Sequence, residues 1–262
     1  SIARDVTKLK RIEEKLILAK KQADQANQAK SEFLANISHE LRSPMHHILS
    51  YANFGIEGEN KPLEKVFGYF GKIKTAADRL MRLLNDLLDL SKMEAGKMDY
   101  EFEQHNINLI TNEIITEMAS TLKDKSIRVV IESDDNEMKA PCDIFKIGQV
   151  IRNLLSNAVK FSPENSRVTI KINRTRMEIN GTISPCLQYS ILDRGVGIPA
   201  AELSAIFEKF TQSSKTKTGA GGTGLGLAIS KEIIKAHKGK IWAGNNIDTG
   251  SHFTFAIPYQ EQ

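Results

Sequence analysis

Cysteine, tryptophan, long apolar runs and charge of one sign are all scarce in this sequence. It has two cysteines and one tryptophan in 262 residues. Cys142 and Cys186 show no CxxC or metal-ligand spacing, which argues against a disulfide framework or a cysteine-built metal site and leaves two reduced thiols as the expectation. No apolar run approaches the roughly 20 residues that a bilayer-crossing helix needs, and no signal-peptide pattern opens the chain. Lys and Arg number 36 against 32 Asp and Glu, a net charge of +4 with no dense basic block. Lys20-Lys21 and the Lys215/Lys217 pair are too short for a nucleic-acid footprint, so nucleic acid is not an expected partner. The opening at Ser1 runs straight into a helical pattern. A boundary inside a longer protein would read this way, so the expectation is a cytoplasmic portion with room upstream for a membrane anchor.

The residues present are those of a globular protein, 40% hydrophobic and 26% charged. The length allows one large domain or two ordinary ones. Leu9, Ile12, Leu16, Ala19, Ala23 and Ala26 alternate steps of three and four, the seam of a parallel coiled coil. The pattern continues through Leu34, Ile37, Leu41, Met45 and Ile48 towards Gly55, and residues 55–62 read as a turn. A second helix follows, with Val66, Phe70, Ile73, Ala77, Leu80, Leu84 and Leu87 in the same alternation. Such a hairpin leaves an apolar face open, and pairing two hairpins into a four-helix bundle closes it. That predicts a homodimer.

Periodicity changes after Gly96. Short β-like runs at 128–131, 167–172, 187–192, 240–243 and 252–258 alternate with helical stretches near 107–123, 143–161 and 223–237. The expected fold is therefore an α-helical hairpin followed by an α/β sandwich with a mixed sheet.

Three segments of this second region have a chemical reading. On the helix at 143–161, Ile147, Ile151, Leu154 and Ala158 form a stripe suited to packing on a sheet. Asn153, Asn157 and Lys160 lie roughly opposite that stripe. Two amide oxygens and an ammonium on one face suit magnesium and the phosphates it bridges; an ordinary solvated face fits the helix alone equally well. Asp193-Arg194-Gly195-Val196-Gly197 follows an apolar strand and puts a carboxylate beside backbone that a flat ring can approach. By itself it is also a tight turn with an Asp cap. The third segment runs from Gly219 through Gly221, Gly222, Thr223, Gly224 and Leu225 to Gly226, five glycines leading into a helix whose amide end attracts phosphate. The polar stretch 211–218 before it has the composition of a lid. Neither the P-loop form nor the Rossmann context is present.

In this order the three segments resemble the nucleotide site shared by histidine kinases, gyrase, heat-shock chaperone ATPases and mismatch-repair ATPases. Ile206-Phe207-Glu208-Lys209-Phe210 between them resembles the F box of histidine kinases. The resemblance implies ATP with Mg2+, the metal held by Asn157 with help from Asn153. It implies that Lys160 meets phosphate and Asp193 reads the adenine amino group. Phe161, Phe210, Gly195, Gly197 and the residues from Gly219 to Gly226 would shape and close the pocket. Arg194, where the family often has a small polar residue, is a departure.

Upstream, Ile37-Ser38-His39-Glu40-Leu41-Arg42-Ser43-Pro44-Met45 resembles the H box of a histidine-kinase dimerisation domain. His39 lies about 200° around the helix from Ile37 and Leu41 and should face solvent, as a group visited by another domain must. Imidazole is a competent nucleophile near neutral pH, and Glu40 can orient the ring and take its proton. Ser43, one turn along, is where the family commonly places the Thr or Asn used to remove phosphate from its partner. Pro44 removes a helical hydrogen bond below the site. His46 and His47 lack the Glu and Pro context, and His105, His237 and His252 are expected to be structural. Arg4-Asp5-Val6-Thr7 resembles the exit of a PAS sensor domain.

The resemblance gives residues 1–30 as a signalling coiled coil, 31–95 as the phosphoacceptor hairpin and 97–262 as the ATP-binding domain. The implied activity is transfer of phosphate from ATP to His39 and on to an aspartate of a response regulator receiver domain, with phosphatase activity towards that partner. A chaperone- or topoisomerase-type ATPase is the rival, but the acid those enzymes carry on the asparagine helix is absent here. A scaffold that dimerises without activity is a second rival.

Overall fold

In the computed structural model the described backbone covers residues 2–57, 62–179, 181–216 and 223–259. Most side chains before residue 31 lie outside the described residues, and with them the seam from Leu9 to Ala26. The chain divides into two compact units, residues 1–83 and 84–262.

The first unit holds α1 (Ile2–Ile56) and most of α2 (Leu63–Glu94). Of the expected turn, residues 58–61 lie outside the described residues. Pro44 sits inside α1 and is buried; its missing N–H leaves the Glu40 carbonyl without its helical donor. The hairpin is held by Ala76 and Leu83, both buried, and by aromatics near its closed end. The rings of Tyr51 and Tyr69 stack 6.1 Å apart, and Phe54 lies 6.0 Å from Tyr69. Lys72 rests 4.9 Å above the Tyr51 ring.

The second unit begins with the last turns of α2. These end in a Schellman motif: Lys97 donates to the Lys92 carbonyl, and Gly96, at φ +63°, makes the left-handed step. The five-stranded sheet has the order β2-β4-β5-β7-β6, from β2 (Arg128–Ser133), β4 (Arg167–Ile179), β5 (Thr182–Leu192), β7 (Ser251–Pro258) and β6 (Lys240–Asn245). β2 and β4 are parallel and the other pairs antiparallel, so the sheet is mixed as expected. Helices α5 (Ile144–Phe161) and α6 (Gly226–Ala236) pack on it, and α3 (Ile107–Glu117) packs against α5, reaching the sheet where Thr111 Oγ1 lies 3.3 Å from the Tyr189 hydroxyl. Ile170, Ile172, Tyr189, Ile191 and Phe255 are buried on its strands, with the Tyr189 and Phe255 rings stacked 5.0 Å apart. The α5 stripe of Ile147, Ile151, Leu154 and Ala158 is buried.

Four details differ from the expectations. A two-stranded sheet of β1 (Glu103–Asn106) with β3 (Lys139–Cys142) was not anticipated, because Glu-Gln-His-Asn and Lys-Ala-Pro-Cys lack strand formers and alternation. The helix expected over 107–123 breaks at Met118 (φ −88°, ψ 4°) into α3 and α4 (Ala119–Asp124). β4 and β5 run further than expected and join as a hairpin at Gly181, φ +81°, in the Asn-Gly dipeptide that favours such turns. α6 starts three residues later than expected, for a reason given below.

Cys142 and Cys186 are buried and unbridged, and burial pushes the Cys142 thiol up to about 12. Among the described residues no helix is long and apolar enough to cross a membrane.

Candidate functional site

The asparagine helix α5 is fixed at both ends. At its start Asp143 is the N-cap, its Oδ1 accepting from the amides of Phe145 and Lys146 at 3.0 Å. The Asp143 amide donates to His237 Nε2 at 3.0 Å, and His237 Nδ1 lies 2.8 Å from the Ile233 carbonyl. That pair of bonds requires the tautomer with its proton on Nδ1, and burial holds the His237 pKa below the ordinary value. His237 ends α6, so one neutral imidazole ties the end of α6 to the beginning of α5. Lys125 caps the far end of α5.

Between these ends α5 carries Asn153, Asn157 and Lys160. The Asn153 amide donates to Ser230 on α6 at 3.0 Å, while its Oδ1 lies 3.4 Å from Asn157 Nδ2. A Cβ on Gly226 would stand 2.4 Å from Asn153 Oδ1, so glycine at the first residue of α6 lets the Asn153 amide lie between the two helices as it does. Asn153 therefore joins α5 to α6. Lys160 lies 4.8 Å above the Phe161 ring. Among the described residues no group of three or more His, Cys, Asp and Glu could hold a metal. A cation at this face would take amide oxygen, water and phosphate as ligands, a donor set that suits Mg2+.

Asp193 is 4% exposed and leaves the end of β5. Its Oδ1 accepts from the Gly195 amide at 2.7 Å and the Ser251 amide at 3.0 Å, and its Oδ2 accepts from the Ser251 hydroxyl at 2.6 Å. A carboxylate has roughly four lone-pair sites, and these bonds use three. The remaining one, on Oδ2, fits an exocyclic amine. The backbone around it leaves no room for side chains. A Cβ on Gly195 would meet the Phe161 carbonyl oxygen at 2.7 Å, and one on Gly250 would meet the Asp193 carbonyl oxygen at 2.1 Å. Gly197, at φ +67°, closes the loop against Asn245, whose Oδ1 accepts from the Ile198 amide at 2.8 Å. Asn246 Nδ2 donates to the Asp193 carbonyl at 2.8 Å.

Of the glycine segment, Gly219, Gly221 and Gly222 lie outside the described residues, as do 217–218 of the polar stretch. Thr223, Gly224, Leu225 and Gly226 are described, and Thr223 Oγ1 accepts from the Leu225 amide at 3.3 Å. The Phe210 amide donates to the Gly224 carbonyl at 2.9 Å, and both residues are left-handed, at φ +57° and +69°. A Cβ on Gly224 would lie 2.7 Å from the Phe210 Cα. This junction joins the two ends of the 211–223 stretch and delays α6 to Gly226, since a left-handed residue cannot sit within the helix.

On α1 His39 is exposed and Ser43 half-buried. Glu40 is turned to α2, its Oε2 3.4 Å from Arg79 Nη2. His46 and His47 are exposed. His105 lies 3.9 Å from Glu103, and His252 Nδ1 lies 3.2 Å from Asn246 Oδ1.

Residues 142–261 match the family described as "Histidine kinase-, DNA gyrase B-, and HSP90-like ATPase", and residues 29–96 match the "His Kinase A (phospho-acceptor) domain". The solved catalytic domain of histidine kinase ThkA is 33% identical, with a TM-score of 0.50, and the match covers 60% of this chain and 95% of that one. The chain belongs to the histidine kinase family. Sensor histidine kinase WalK of Bacillus subtilis (strain 168) is 36% identical over 243 residues, 91% of this chain. The kinase chain spans 38% of the length of that relative. A ThkA structure in complex with the response regulator protein TrrA shares 25% identity and a TM-score of 0.64, over 87% of this chain and 61% of that one.

Sequence reasoning missed several residues that the site depends on. Ser251 and Gly250, across the sheet from Asp193, had a usable signal in the Thr-Gly-Ser turn before an apolar strand. Ser230 and Arg79 gave none, because their partners are far away in sequence, while His237, expected to be structural, ties α6 to α5.

Proposed function

We propose that this chain is the catalytic portion of an ATP-dependent sensor histidine kinase, autophosphorylating at His39 and passing the phosphoryl group to an aspartate of a response regulator receiver domain. Residues 1–30 act as a signalling coiled coil below a PAS-like sensor, 31–95 as the phosphoacceptor hairpin and 97–262 as the ATP-binding domain. The working state is a homodimer through the hairpin, in the cytoplasm, with any membrane anchor outside this sequence. The observation that carries the reading is the buried carboxylate of Asp193, which accepts three hydrogen bonds from the protein and keeps one acceptor site on Oδ2 for an N–H of a bound ring.

In the mechanism Asp193 selects adenine, and Asn157, with Asn153 and Lys160 beside it, faces the phosphates. Mg2+, when bound, neutralises phosphate charge and would be held by Asn157. A ring nitrogen of His39 attacks the γ-phosphorus in line. The N–P bond forms as the bond to the β–γ bridging oxygen breaks, and ADP leaves with that oxygen. Glu40, held by Arg79, takes the proton from the other ring nitrogen. The phosphoryl group then moves to a partner carboxylate. In the separate phosphatase reaction Ser43 positions a water that attacks the phosphorus of the partner's acyl phosphate, the P–O bond to the aspartate breaks, and inorganic phosphate and the free carboxylate leave.

The test is incubation with γ-labelled ATP. Label should enter the protein in an acid-labile, alkali-stable form and fall sharply in Asn157→Ala, and excess GTP should not compete, because its ring carries an oxygen where adenine carries the amine. Acid-stable label, or equal competition by GTP, would contradict the assignment.

A further inference from the structure

The last turn of an α-helix leaves four carbonyls without intrahelical donors. In α5 these belong to Ala158, Val159, Lys160 and Phe161. The Ser162 amide satisfies Ala158 at 3.1 Å. The residue that would next donate, to Val159, is Pro163, which has no N–H. A glycine cap of the kind that closes α2 is therefore impossible here. The donors come from elsewhere: Lys125 Nζ lies 3.0 Å from the Val159 carbonyl, 2.8 Å from that of Lys160 and 3.1 Å from that of Ser162. One ammonium supplies three donors to the negative end of the helix, where a cation is favoured. The Asn165 amide returns a bond to the Lys125 carbonyl at 3.1 Å, which fixes the backbone of the cap as well as its tip.

The fourth carbonyl, that of Phe161, is the one that abuts Gly195, 2.7 Å from where a Cβ would stand. The turn gripped by Lys125 thus carries Lys160 and Phe161 and forms the wall on which the Asp193–Gly195 loop rests. We infer that Lys125 is a positioning residue for nucleotide binding, setting the end of the asparagine helix against the adenine-reading loop without touching nucleotide itself. The inference rests on the proposed reading of that loop as the adenine pocket.

It separates affinity from chemistry. Full-chain wild type, Lys125→Met, Lys125→Arg and the control Ile172→Val, which trims a buried strand residue instead, are titrated with Mg-ADP and melted. Loss of three charge-assisted hydrogen bonds should raise the Kd of Lys125→Met about tenfold. Lys125→Arg should fall between it and wild type, since a planar fork reaches only some of three convergent carbonyls. Autophosphorylation at saturating ATP should stay within about twofold of wild type, because His39 chemistry is not touched. Ile172→Val should lower the melting midpoint with little change in Kd. An unchanged Kd in folded Lys125→Met overturns the inference, and so does an equal rise in Ile172→Val. Should Lys125→Met not fold, Lys125→Gln carries the same comparison, and an unchanged Kd there overturns it. Failure of wild type itself to bind Mg-ADP would contradict the nucleotide reading rather than the role of Lys125.

Discussion

In the α/β unit Ile107, Val150, Ile151, Leu154, Ile170 and Phe255 are fully buried, whereas on the hairpin Leu49, Phe67, Phe70 and Met81 are 56–68% exposed. The sheet with its helices encloses a core from one chain. The hairpin encloses almost none, and its open apolar stripe is what a second hairpin would cover. The proposed acceptor His39 stands on the incomplete element and the proposed nucleotide site on the complete one. Acceptor presentation should then depend on assembly, and nucleotide binding should not.

The contrast breaks most sharply at Gly250. A Gly250→Ala substitution puts a methyl into the Asp193 carbonyl at φ +89°, and should destabilise the α/β unit by about 3 kcal/mol. Calorimetry should show one transition moved down and Mg-ADP binding lost, with hairpin helicity retained. Two transitions moving together would mean that the units do not fold independently. Next in size, Phe70→Asp should weaken self-association about 100-fold by sedimentation, with Mg-ADP affinity unchanged. A dimer of undiminished stability would remove the open stripe from the interface.

A smaller effect comes from His237. Its folded-state pKa is depressed by burial, so below about pH 6.5 the unfolded chain takes up a proton that the folded chain refuses. Stability of the α/β unit is therefore fully present above that pH and declines as pH falls towards the depressed folded value. The melting midpoint should drop on acidification from neutral and drop less in His237→Gln, with Asp143 the acidic neighbour in both. Equal pH dependence would place the effect elsewhere. With no expected effect on stability or assembly, Ser43→Ala should abolish decay of a phosphorylated receiver, and Ser43→Thr should quicken it a few-fold (about 2–5) by restricting the hydroxyl's rotamers. Autophosphorylation should barely change in either, and unchanged decay in Ser43→Ala would leave Ser43 as a helix residue before Pro44.

Long elements were legible because their periods are long. The α5 stripe from Ile147 to Ala158 repeats over about three turns and the hairpin helices over more, so tertiary context had nothing to override. The order of the asparagine helix, the Asp193 loop and the glycine segment was equally readable. Short or paired features were not. Glu103–Asn106 is a strand only because Lys139–Cys142 lies beside it. Lys125 has no periodic signature at all; the clue was Pro163, which denies α5 an ordinary cap and so demands a donor from elsewhere. Asn180-Gly181 was a visible hairpin signal that the flanking polar residues obscured.

In the proposed function His39 on the incomplete unit accepts phosphate bound by the complete one. The most direct measurement is labelling of His39→Gln with γ-labelled ATP beside a Mg-ADP titration of the same protein. No acid-labile label and a Kd equal to wild type are expected. Acid-labile label persisting in that variant, at His46, His47 or elsewhere, would contradict this role of His39.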